Sequence, residues 1–78
     1  MESQTPVRAP GDLKAARIDE VDATTTYVGL AAPGVGTGSA VWQIRRLTSS
    51  GNDLTVEWAD GNAEFDNVWD NRASLSYL

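Results

Sequence analysis

AVWQIRRLTSSGNDLTVEWA, residues 40–59, is the stretch on which the fold turns. Within it, DLTVEWA (53–59) alternates most cleanly. Leu54, Val56 and Trp58 face one way; Thr55, Glu57 and Ala59 face the other. A half-buried antiparallel strand reads this way, with its apolar set turned inward. AVWQIRRL (40–47) puts Trp42 and Ile44 on one face and Val41, Gln43, Arg45 and Leu47 on the other. Val41, Ile44 and Leu47 also recur every third residue, as in a helix, but the Thr-Ser-Gly flank and the short length favour a strand. TSSGND (48–53) has the length of a hairpin loop, so residues 40–59 read as a β-hairpin.

The flanking segments repeat the style. TTTYVGLAA (24–32) reads as a strand with Tyr27 and Ala31 on one face. Gly29, between Val28 and Leu30, signals a bulge or a close backbone approach. APGVGTGS (32–39) is a turn-rich connection. After the hairpin, Asp60-Gly61 ends the strand. Phe65, Val68 and Trp69 are spaced as one face of a single helical turn. Asp60 or Asn62 can cap that turn, and Glu64 and Asp66 suit its positive end. RASLSYL (72–78) closes the chain as a strand, with Ala73, Leu75 and Tyr77 inward. Residues 1–16 hold two of the three prolines and little periodic apolar content. They read as an extended arm. The predicted class is all-β: a small antiparallel β-sandwich or open barrel over residues 17–78, with one short helical turn and an extended N-terminal arm.

Size and composition bound what such a domain can do. A chain of 78 residues is one domain at most. Its core is small, and association is the expected supplement to its stability, because there is no cysteine for disulfides or thiolate metal sites. The lack of histidine removes the commonest metal ligand and neutral-pH acid or base. Met1 is followed by Glu2 rather than a basic and then apolar run, so no secretory signal is expected. No apolar run approaches the roughly 18 residues that span a bilayer, so no membrane partner is expected. The net charge is −5, which disfavours a nucleic-acid partner. Arg45–Arg46 is the only adjacent basic pair and reads as solvated strand flank or an interface pair.

WADGNAEFDNVWDNRASLSY (58–77) holds the remaining candidates for chemistry. Asp60, Asn62, Glu64 and Asp66 are spaced by two, as calcium-loop ligands can be, but the glycine falls second and the twelfth position is Asn71. Capping carboxylates are the better reading, and no cofactor or metal is expected. Trp58, Phe65, Trp69 and Tyr77 could stack on a sugar or a peptide; their apolar faces assign them instead, with Trp42, to the core, with a subunit interface as the other choice. Asp66 and Asp70 could pair as acid and base, yet nothing nearby marks a pocket. The serines have no histidine to activate them. The glycines of APGVGTG are not followed by Gly-Lys-Ser/Thr, so they make no phosphate loop. No enzyme activity is expected. Trp42, Trp58, Asp60, Phe65, Trp69, Arg72 and Tyr77 stand as fold-specifying or interface residues.

One resemblance runs through these segments. Tyr27, Gly29, Pro33, Gly34, Trp42, Ile44 and Arg46 come first, then Trp58 to Asn62, Phe65, Asn67, Trp69, Arg72, Leu75 and Tyr77. This order resembles a small family of structural proteins from tailed bacteriophages, over about residues 17–78. The resemblance implies a virion component, assembled in a host cytoplasm, whose partners are other virion proteins. A cement or decoration subunit on the head or tail comes first. A neck adaptor, a tail-fibre module or a carbohydrate- or receptor-binding module is the alternative. Strand addition by the arm, or pairing of sheet edges between copies, would give a homo-oligomer, with a trimer among the options.

Overall fold

The structure, a computed structural model, describes residues 13–78; the expected arm lies outside it as far as residue 12. Five strands form, β1 (Ala15–Glu20), β2 (Thr25–Ala31), β3 (Ala40–Ser50), β4 (Asp53–Trp58) and β5 (Asn67–Val68). A 3-10 helix (Trp69–Ser74) follows. The class is all-β and antiparallel, as the sequence predicts. β1 to β4 pair in chain order as a meander, and β5 pairs with the free upper half of β3. β1 starts two residues ahead of the predicted domain boundary.

Each join has a local cause. Asp22 closes the turn between β1 and β2: its Oδ1 accepts from the Thr24 amide (2.9 Å), the Thr24 hydroxyl (2.9 Å) and the Thr25 amide (3.0 Å). An aspartate that bonds its own backbone two residues on makes such a turn. Those donors, the Thr24 amide first, hold its carboxyl below the ordinary value. The β3–β4 hairpin is tighter than expected. Ser50 pairs with Asp53, so only Gly51 and Asn52 remain in the turn. Gly51 takes a φ of 61°, the conformation that the first residue of a type II′ hairpin turn requires. Strand pairing therefore extends through most of the stretch read as a loop.

The core lies on one face of the sheet. Tyr27, Ala31, Trp42 and Ile44 are buried there beneath the C-terminal segment, which brings Ala59, Trp69 and Tyr77. Trp42 and Trp69 meet at 5.8 Å between ring centroids, and Tyr27 and Tyr77 at 5.6 Å. Aromatic pairs favour such tilted arrangements. Val35, from the glycine-rich connection, and Leu75 pack against the margin.

Three expectations are corrected. Leu54 and Val56 are 62% and 47% exposed, and with Trp58 they lie on the face away from the core. Cross-strand partners share a face. The pairings Arg45↔Trp58 and Leu47↔Val56 therefore put β4's apolar set outside, while Arg46↔Glu57 and Thr48↔Thr55 lie on the core side. Phe65 does not share a helical face with Trp69. It is 42% exposed, and the intervening Asn67 and Val68 are extended because they pair with β3. The helical turn begins only at Trp69. Residues 72–78 form no continuous strand either. The 3-10 helix runs to Ser74, Ala73 is exposed, and Tyr77 makes an isolated bridge to Ala59.

Candidate interaction surface

The two faces of the sheet treat the seven candidate residues differently. On the covered face, Trp42 is 2% exposed, and its indole N–H donates to the Gly36 carbonyl at 3.1 Å. Trp69 opens the 3-10 helix and is buried. Arg72, one turn on, lies with its guanidinium 4.6 Å from the Trp69 ring centre. It donates to the Trp69 carbonyl (3.1 Å) and, through Nε, to Asp19 Oδ2 (2.9 Å). Tyr77 is buried and donates its hydroxyl to the Arg72 carbonyl at 2.8 Å. These contacts tie the C-terminal cover to β1. Asp60 is an exposed left-handed residue (φ 59°) whose amide donates to the Ser76 carbonyl at 2.7 Å. It shapes the turn that sends the chain back and caps no helix.

Trp58 and Phe65 stand apart from this group. Trp58 is half-buried on the outer face, under the Arg45 guanidinium at 4.7 Å. The Lys14 ammonium sits 5.7 Å from the Phe65 ring centre. Arg45 and Arg46 thus separate onto opposite faces. Arg46 lies 4.8 Å over Tyr77 and pairs with Glu57 at 2.6 Å. With Trp42, Trp69 and Tyr77 inside, the accessible aromatics among the seven are Trp58 and Phe65.

Burial is the main reason the Tyr77 phenol is pushed up to about 12; nearby Tyr27 adds to this, and Arg46 and Arg72 oppose it. An unburied tyrosine ionises near pH 10. Between those values the unfolded chain loses its proton while the folded chain keeps it. The Tyr77 contribution is therefore complete below about pH 10 and is lost as pH rises toward about 12. In urea melts run from neutral pH through that window, Tyr77→Phe should cost about 1 kcal/mol at neutral pH for the lost hydrogen bond. It should also flatten the alkaline decline. An equally steep decline in the variant would assign it to another group.

The outer face carries the surface that composition alone did not reveal. Ile18, Val28, Arg45 and Trp58 form one row across the four strands, and Glu20, Thr26, Leu47 and Val56 the next. Leu30 and Leu54 extend this apolar field at opposite corners. Ile18 is 67% exposed, and the rest are exposed or half-buried. In its midst, Arg45 has a buried Nε–H with no acceptor among the described residues. Among the described residues, no cluster of three acidic, histidine or cysteine side chains could hold a metal ion. No helix among them is long and apolar enough to cross a membrane. Compared with known protein families, curated proteins and solved structures, the chain matches none.

Proposed function

We propose that this protein is a structural accessory subunit of a tailed-phage particle, of the cement or decoration type, held on the head or tail by protein–protein contacts. The observation that carries the reading is the apolar outer face. A solvated face of an antiparallel sheet is ordinarily polar. Here Ile18, Leu54 and Val56 stand exposed beside half-buried Val28, Leu30, Leu47 and Trp58. Contiguous apolar surface of this kind marks docking sites. The order of aromatic, glycine and acidic residues that resembles phage structural proteins supplies the particle context.

Gradient sedimentation of a lysate from the native source, with mass spectrometry of the fractions, tests this directly. The chain should travel with intact particles at a fixed ratio to a major shell or tail protein. Recovery only in the light fractions would overturn the particle assignment.

A further inference from the structure

β1 is one edge of the sheet, and among the described residues nothing pairs with its outer side. Proteins usually blunt an exposed edge with charged side chains, lysine above all, or with proline, a bulge or a covering segment. AARIDE has no lysine or proline, and its register with β2 runs unbroken from Ala15↔Ala31 to Glu20↔Thr26; its charges, Arg17, Asp19 and Glu20, are of both signs and so select a register rather than forbid pairing. An open groove of about 630 Å³ runs beside it, lined by five consecutive residues of the strand, Ala15 to Asp19, and walled by Val35, Trp69 and Arg72. Two charged groups on this strand are under-used. Arg17 is exposed and makes no ion pair or side-chain hydrogen bond among the described residues. Asp19 receives Arg72 on Oδ2, and its Oδ1 has no donor there.

We propose that this edge is a self-association site. A second copy of the chain adds its own β1 antiparallel to it, in the register that sets Ile18 opposite Ile18. The register follows from charge. Antiparallel partners lie on the same face, so a symmetric pairing of this strand centres on one residue. Centring on Arg17 opposes two guanidinium groups, and centring on Asp19 opposes two carboxylates. Centring on Ile18 puts each Arg17 opposite the other copy's Asp19, giving two cross-strand opposite-charge pairs in place of like-charge contacts. The exposed Ile18 side chains then cover each other on the outer face, and the apolar field continues into a joined sheet of twice the width. Such a contact is isologous and closes at two copies.

The other edge is built against the same event. Trp58 already exchanges backbone hydrogen bonds with Leu78, at 2.9 and 3.0 Å. That leaves the outer side of residues 53–57 of β4 unpaired among the described residues. A symmetric pairing centred on Thr55 opposes Asp53 and Glu57 twice, carboxylate against carboxylate.

The site does not depend on where the protein works, so a failed sedimentation result leaves it standing. Light scattering on the full chain after size-exclusion chromatography, at about 100 µM, should give a dimer. Arg17→Asp, an exposed substitution that keeps the circular dichroism spectrum, should raise the dissociation constant at least tenfold; Arg17→Lys should leave the dimer intact. Register is read by single cysteines, since the chain has none of its own. Ile18→Cys should cross-link to its twin on oxidation or with a short bifunctional thiol reagent, because directly opposed Cα atoms lie about 4.5–5.5 Å apart. Glu20→Cys should not, being four residues from its twin along the strands, about 13 Å. A monomeric wild type, an Arg17→Asp dimer of undiminished affinity, equal cross-linking at both positions or an open-ended series of larger species would each overturn the proposal.

Discussion

Gly29→Ala is expected to remove most of the domain's stability at room temperature. A Cβ at this position would sit 2.5 and 2.6 Å from two carbons of the Trp69 ring and 3.1 Å from Trp42. The β2 backbone at Gly29 is thus in close contact with the six-membered ring of the indole. The ring cannot slide away, because Arg72 stacks on it and the adjoining Trp42 is buried to 2%. Overpacking a rigid core costs about 1–3 kcal/mol, occasionally more. We place this site at the upper end, about 3 kcal/mol or above, against a total that for small domains starts near 5 kcal/mol. Urea melts followed by far-UV circular dichroism would measure it. The contact also predicts non-additivity. Gly29→Ala combined with Trp69→Leu should be less destabilised than the two single losses summed, since the smaller side chain vacates the space the methyl needs. A loss below about 1 kcal/mol for Gly29→Ala would show that the indole is not seated there.

Trp69→Ala is the second large effect. It empties the centre of the cover, and truncating a buried aromatic to alanine costs about 3–5 kcal/mol. The damage spreads beyond the cavity. The Arg72 guanidinium loses the ring it lies on, and with it the orientation that brings Nε to Asp19 Oδ2. The Asp19–Arg72 link joins residues 53 positions apart in the chain, so losing its anchor releases the C-terminal segment from the sheet. Amide hydrogen exchange should show residues 69–78 losing protection before β2 and β3 do. Uniform loss across all strands would mean that cover and sheet are one cooperative unit.

The parts of this fold that could be read in advance are those where burial and spacing coincide. Tyr27 and Ala31, and Trp42 and Ile44, alternate along stretches of strand whose core face is covered, and both pairs lie where the pattern put them. Gly29 was readable as a close approach, though not what approaches it. Alternation in β4 was equally plain, but a period of two says only that there are two faces. It does not say which is buried, and the register with β3 turned the apolar one outward. β1 carries almost no signal, because AARIDE is held by pairing with β2 rather than by burial. The spacing of Phe65 and Trp69 suggested a helix; pairing of Asn67 and Val68 with β3 outweighed that local preference. Arg72 was a candidate by its place in the motif, yet its union with Asp19 spans 53 positions, which no local pattern records.

Polarity reverses along the β3–β4 hairpin. At its base the covered side carries Trp42 and Ile44. Beyond Arg46 the same side turns to Thr48, Thr55 and Asp53, while Leu47, Val56 and Leu54 take the opposite side. One ribbon is thus subject to two separate selective pressures. Its base is constrained by the fold, where a change is felt as lost stability. Its tip is free of that constraint, so surface chemistry there can diversify to suit a new partner without the domain having to be reinvented.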